Sequence, residues 1–219
     1  MPREAKHILK LNSNNYFFLL QLSTKEASPE EDNDVNSNCL SLLLCAVGDP
    51  HNLGAILRSA YYLGVDKVFT TNCSYSDLND NLFSKSTAPL SPVVSKSSSG
   101  VLEIFQPIHV HDPKYFVELK KSKGWTILGS CMENPKNMLG TANDKSHDFA
   151  CDKSSKSNLN SQMLIIGNEG FGIPNTLSDL CDNWIYLKPG RNIDPDVDSL
   201  NVSVATALLI NSIKMSMAS

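Results

Sequence analysis

Long apolar runs are missing from this 219-residue chain. None approaches the roughly 20 consecutive residues that a membrane-spanning helix requires, so no membrane partner is expected. The longest early run, Tyr16 to Leu20, is short and no small-residue cleavage site follows it, so no secretory signal is expected either. Metal-binding patterns are equally scarce. Cys39, Cys45, Cys73, Cys131, Cys151 and Cys181 form no C-x-x-C pair and have no Cys/His spacing suited to zinc. His109 and His111, the one close histidine pair, read as ordinary strand decoration, so no metal is expected. Several cysteines sit within apolar runs, where a thiol behaves as a small hydrophobe, and this reads as a reduced chain in a reducing compartment.

An excess of positive charge is also lacking. Lys and Arg total 19 against 23 Asp and Glu, a net charge of −4, which disfavours a uniformly basic nucleic-acid binder but leaves room for local basic ground. Arginine occurs only at Arg3, Arg58 and Arg191. The head carries Arg3, Lys6 and Lys10 with one acid, Glu4, a weak hint of organelle import. What is present is the composition of a globular protein: 41% hydrophobic and 19% charged residues, over a length sufficient for one substantial domain.

Residues 1–38 are expected to be a largely flexible extension, since 24–38, "TKEASPEEDNDVNSN", is acidic and almost devoid of large apolar residues. From Cys39 the pattern changes. Leu40 to Val47 is a continuous apolar run, as in a strand buried on both faces. A turn at Gly48-Asp49-Pro50 leads into a helix over Asn52 to Leu63, with Leu53, Ile56, Leu57 and Ala60 at helical spacing. Further strands are predicted at Lys67 to Thr71, Ile108 to Val110, Trp125 to Ser130, Met163 to Gly167 and Trp184 to Leu187. Helices are predicted at Pro113 to Lys123 and Asn201 to Lys214. This alternation predicts an α/β domain over 39–219 with a mainly parallel sheet flanked by helices. Between Thr141 and Ser161, 14 of 21 residues are Asn, Asp, Lys or Ser, which reads as an inserted surface loop without a packed role. Residues 75–86, "YSDLNDNLFSKS", read as a second insertion.

Three segments at predicted strand ends could carry chemistry, because open α/β sheets bind ligands outside the carboxyl ends of their strands. In "GDPHNLGAILRSAYYLG", residues 48–64, Asn52 stands where an N-cap belongs. Gly54 there suggests close approach of a backbone or ligand, and Arg58 projects from the helix. In "GNEGFG", residues 167–172, glycines surround one carboxylate, Glu169, without the order of a dinucleotide or P-loop motif. In "DSLNVSVATALLINSI", residues 198–213, Ser199, Asn201 and Ser203 stand at the entrance of a helix that is apolar nearly all round and should be buried. Each segment alone has an ordinary reading: an exposed arginine, a surface turn, an N-cap.

In combination and in this order, the three segments resemble the SpoU (TrmH) family of SPOUT RNA 2′-O-ribose methyltransferases, from about Cys39 to the end of the chain. "RSAYYLGVDKV" and "PLSPVVSKSSSG" look most like the mitochondrial large-subunit rRNA guanosine 2′-O-methyltransferases. The resemblance implies a C-terminal trefoil knot, a homodimer, RNA as substrate and S-adenosyl-L-methionine as cofactor. It implies that Gly167, Asn168, Gly170, Leu187, Lys188, Leu200, Asn201 and Ser203 hold that cofactor. It further implies catalytic roles for Arg58, Asn52, Glu169, Ser199 and Asn201. Arginine is effectively always protonated and so is a poor base; gripping an RNA phosphate that relays the proton is physically easier, and both versions stand at this point. A tRNA methyltransferase, or a non-catalytic RNA-binding assembly factor that keeps the knot, are the alternatives. Many relatives carry an N-terminal RNA-binding domain that the first 38 residues do not resemble.

Overall fold

The computed structural model describes residues 38–76, 82–132, 146–147, 161–194 and 199–218. The expected extension over 1–38, apart from Asn38, lies outside the described residues, as do most of 141–161 and Cys151.

Strand β1 (Leu40–Cys45) is buried at every position, as its unbroken apolar run requires. It lies between β2 (Lys67–Thr71) and β8 (Gln162–Ile166), pairing Leu43 with Phe69 on one side and with Ile165 on the other. With β5 (Ile108–His109), β6 (Thr126–Ser130), β9 (Asn183–Ile185) and the two-residue β7 (Ser146–His147), these form a seven-stranded sheet in the order β5-β2-β1-β8-β6-β9-β7. All its pairings are parallel. The expected parallel sheet is therefore present. Within the stretch read as an unpacked loop, however, Ser146 and His147 pair with Trp184 and Ile185 at the sheet edge.

Parallel pairing forces crossovers, and the helices cover both faces. Leu40, Leu42 and Leu44 point to one face, packing with buried residues of α1 (Pro50–Tyr62), α2 (Pro92–Ser97) and α5 (Val202–Met217). Leu43 and Cys45 point to the other, with Phe116 and Val117 of α3 (Pro113–Ser122) and Leu177 of the short α4 (Asn175–Ser178). The strand ends at Cys45 rather than Val47 because Ala46 adopts a left-handed φ of 52°, which breaks the extended backbone.

Two expectations need correction. The N-cap of α1 is Asp49, whose carboxylate accepts from the His51 N–H at 3.0 Å, with Pro50 in the first turn. Asn52 lies inside the helix, so its amide is available for other work. The all-round apolar helix α5 buries Thr206, Leu209, Ile210 and Ile213, but Val204, Leu208 and Met215 on the opposite side stay exposed. A single chain offers α5 only one face to pack against, so its opposite stripe stays open.

The segment read as a second insertion is an antiparallel hairpin, β3 (Cys73–Ser76) with β4 (Leu82–Lys85). Gly54 is explained by packing: a Cβ there would lie 2.7 Å from the Val94 carbonyl oxygen of α2, so a neighbouring backbone requires it.

Candidate functional site

From β1 the chain moves outward to β2 and β5 on one side; from β8 it moves to β9 on the other. The loops leaving β1 and β8 therefore diverge, and a crevice is left between the carboxyl ends of these adjacent strands. Asn52 follows β1 and Glu169 follows β8, and they meet across that crevice. The Asn52 amide donates from Nδ2 to Glu169 Oε1 at 3.1 Å, and its Oδ1 accepts from Asn201 Nδ2 at 3.0 Å. A directed chain thus runs from Asn201 through Asn52 to a carboxylate, and each link polarises the next.

Local structure aims each member. Asn201 is the N-cap of α5, and its Oδ1 accepts from the Ser203 N–H at 2.9 Å and from the Ser203 hydroxyl at 2.6 Å. With the carbonyl end occupied by the cap, the NH₂ end faces Asn52. One side chain thus caps α5 and bonds Asn52.

Glu169 sits at the tip of a tight loop. Asn168 and Gly172 exchange backbone hydrogen bonds at 2.9 and 2.8 Å, leaving Glu169, Gly170 and Phe171 as its tip. Gly172 takes a φ of 67°, the left-handed conformation that closes such three-residue loops. Asn168 pins the loop inward, donating from Nδ2 to the Ala46 carbonyl at 2.8 Å and accepting from the Gly170 N–H at 3.0 Å. Its side chain and backbone are engaged within the chain. Gly167 is required by the same loop: a Cβ there would lie 2.3 Å from the Gly172 carbonyl carbon. Gly167 thus lies in close contact with the chain's own backbone.

Arg58 is exposed on α1 and forms no hydrogen bond or ion pair with a described residue. It lies six positions after Asn52, about 9 Å along the helix and about 120° round its axis, so it stands apart from the three-residue chain. Ser199 is exposed and has no bond to that chain. Leu187 is half-buried against the core, whereas Lys188 and Leu200 are exposed. The backbone groups of Leu187, Lys188 and Leu200 have no hydrogen-bond partner among the described residues. Because β8 and β9 flank β6, the loops after them stand about 10 Å apart at one sheet edge.

Two contributors are absent from the sequence reading. Asp49, the actual cap, could have been read from an Asp-Pro step before a helical pattern. The β3–β4 hairpin could not, because its link to the site is tertiary: Tyr75 donates its hydroxyl to the Gly172 carbonyl at 3.2 Å. Burial pushes the Tyr75 hydroxyl far above the usual phenol range, so it remains a donor. Among the described residues no cluster of three or more His, Cys, Asp or Glu could hold a metal ion. Cys39, Cys45, Cys73, Cys131 and Cys181 carry thiols rather than disulfides.

Comparison with known proteins gives the same placement. The chain is 36% identical over 218 residues to rRNA methyltransferase 1, mitochondrial, of Saccharomyces cerevisiae, covering 94% of this chain and 47% of that protein. It is 33% identical over 196 residues to the human protein of the same name, covering 86% of this chain and 48% of that one. The chain thus spans about half the length of these relatives. Its fold is like that of the SpoU methyltransferase AviRb from Streptomyces viridochromogenes, solved with AdoMet, at a TM-score of 0.62 and 20% identity, covering 85% of this chain and 64% of that one. The rRNA methyltransferase of Sinorhizobium meliloti, also AdoMet-bound, matches at 0.59 and 19%, over 90% and 59%. Residues 39–211 match the SpoU rRNA Methylase family over β1 through most of α5, and the chain belongs to that family.

Proposed function

We propose that the chain is an S-adenosyl-L-methionine-dependent RNA 2′-O-ribose methyltransferase acting on a guanosine of large-subunit rRNA. The observation that carries this reading is the hydrogen-bonded chain Asn201–Asn52–Glu169. It unites the three sequence segments at the sheet's switch point, in a member of the SpoU family. The names of the yeast and human relatives support a mitochondrial location.

The residues at the sheet edge suit a cofactor gripped by backbone. Leu187, Lys188 and Leu200 offer N–H and C=O groups without a partner among the described residues, on the same sheet edge as the Gly167–Gly172 loop. These residues, with Gly167, Gly170 and Ser203, would hold it; Asn168 would contribute by fixing the loop. The cofactor supplies an activated methyl group on a sulfonium centre. The chain's own residues must present the ribose 2′-hydroxyl and lower the cost of losing its proton. Arg58 carries a permanent, solvent-exposed positive charge and a planar fork suited to two phosphate oxygens. Holding the phosphate beside the target ribose, it lets a phosphate oxygen accept the hydroxyl proton. Asn52, aligned by Glu169, positions the ribose, and Ser199 with Asn201 contact the nucleotide.

A C-terminal trefoil knot and a homodimer complete the proposal. The return of the chain from β9, beyond β6, to α5 on the α1 side supports the threading. The stripe of Val204, Leu208 and Met215, opposite the buried side of α5, supports a partner chain covering that helix.

Transfer of tritium from labelled cofactor to mitochondrial rRNA, followed by mapping of 2′-O-methyl positions, tests the function. Label on a guanosine of the large-subunit rRNA is expected. Cofactor binding without label above background would overturn catalysis and favour an RNA-binding assembly role.

A further inference from the structure

The loop that carries Glu169 has a second side chain at its tip whose surroundings the reaction does not use. Phe171 is 49% exposed, although it is a large aromatic beside a polar site. It is held rather than dangling: its ring centroid is 5.4 Å from that of Tyr75 and 5.0 Å from that of Phe83. Tyr75 is buried and is tied to the same loop through Gly172, so the hairpin fixes the ring's position. Lys85, exposed on β4, places its Nζ 5.2 Å from the Phe171 centroid and 5.8 Å from that of Phe83.

An exposed, braced aromatic with an ammonium group over its ring is a combination that binds single-stranded nucleic acid: the ring stacks on a base through the surface it still exposes and the cation takes the phosphate. Apolar burial alone does not explain it, because half of the Phe171 surface still faces water. Its location does: Phe171 is two residues from Glu169, hence within about 7 Å along the chain of the site that would receive the ribose. A ribose held at Asn52 and Glu169 leaves its base to be placed nearby.

We propose that Phe171, braced by Tyr75 and Phe83, is a stacking platform for an unpaired base of the RNA substrate, with Lys85 contacting an adjacent phosphate. This rests on RNA being the substrate of the Asn52–Glu169 site. It assigns the β3–β4 hairpin to substrate positioning and predicts that the chain engages its target single-stranded, since a paired base has no free face to stack.

The test compares the unaltered chain with Phe171→Ala, Phe171→Trp and Lys85→Gln. Each is titrated with a short single-stranded RNA, with the same ribose–phosphate chain lacking bases, and with cofactor. Phe171→Ala should weaken binding of the base-bearing RNA about tenfold or more and leave the baseless chain unaffected, as expected for loss of one stacked base. Phe171→Trp should retain affinity, and its added indole fluorescence should be quenched by RNA and not by the baseless chain. Lys85→Gln should weaken both ligands alike and reduce the salt dependence of binding. Unchanged cofactor affinity in Phe171→Ala would show that the Glu169 loop is intact. Unchanged RNA affinity in that variant, or equal weakening for both ligands, overturns the platform while leaving the methyltransferase reading in place. A change in oligomeric state with unaltered RNA affinity assigns Phe171 to a subunit interface and overturns it too. Failure of the unaltered chain to bind RNA at all overturns the substrate reading, and the platform with it.

Discussion

Asn52 and Glu169 are 117 positions apart in sequence and joined by a 3.1 Å hydrogen bond from the amide of one to the carboxylate of the other. The bond exists because β1 and β8 are adjacent parallel strands, with Leu44 in register with Ile166, so that the loops leaving them start side by side. Replacing Asn52 by Asp removes the donor and sets a second carboxylate against the first. The site is exposed, so the fold should lose no more than about 1 kcal/mol. If Asn52 positions the ribose as proposed, methyl transfer should fall by about a hundredfold through lost alignment. Denaturant melts alongside single-turnover rates check both halves; a near-normal rate would remove Asn52 from the chemistry.

Arg58→Lys keeps the charge and loses the fork. If Arg58 fixes a phosphate and the ribose in reacting geometry, transfer should drop by about a hundredfold or more with cofactor affinity unaltered. A lysine variant that retains its rate would reduce Arg58 to general attraction of RNA. Cofactor titration and single-turnover transfer on one preparation decide between them.

Gly167→Val acts through the loop before it acts on any ligand. The new side chain meets Gly172, whose carbonyl carbon would lie 2.3 Å from the first added carbon. Overpacking of this kind costs about 1–3 kcal/mol, so a lower melting temperature is expected without cofactor, together with weaker cofactor binding. Weaker binding at an unchanged melting temperature would instead indicate a direct clash with the ligand.

Leu208→Lys should leave the fold intact, because Leu208 is 46% exposed in the single chain and the ammonium group stays in water. If α5 packs against a partner, the same charge at that interface should dissociate the dimer. Sedimentation analysis gives the answer, and a dimer that survives would place the interface elsewhere.

Alkaline stability should carry a signature of two part-buried thiols. Burial pushes the Cys131 thiol up to about 11, and burial followed by the Asp182 charge pushes Cys181 up to about 12. With folded values raised above the usual value near 9, the native state holds these protons longer than the unfolded one. The associated stability is fully present below pH 9 and is lost as pH rises from about 9 toward 11 and 12. Melting followed over that range should decline, and less steeply in Cys181→Ala. An identical slope in that variant would mean that other groups set the alkaline limit.

Much of this architecture is determined by the sequence alone. An apolar run such as Leu40–Cys45 can be stable only as a strand covered on both faces, and the repeat of Leu53, Ile56, Leu57 and Ala60 can bury its side chains only as a helix. The same local reading singled out the segments that hold Asn52, Glu169 and Asn201, because each lies at the end of a predicted strand, while their site roles came from the resemblance of the three segments to the SpoU family. Tertiary structure alone decided that they meet. The position of β8 between β1 and β6 depends on long-range pairing, and only that pairing sets Asn201, Asn52 and Glu169 in one hydrogen-bonded line. It alone also set the Gly167 backbone against Gly172, and brought a hairpin that reads as an insertion beneath Phe171. Periodicity records which face of an element avoids water; the partner it meets there depends on how distant segments pack.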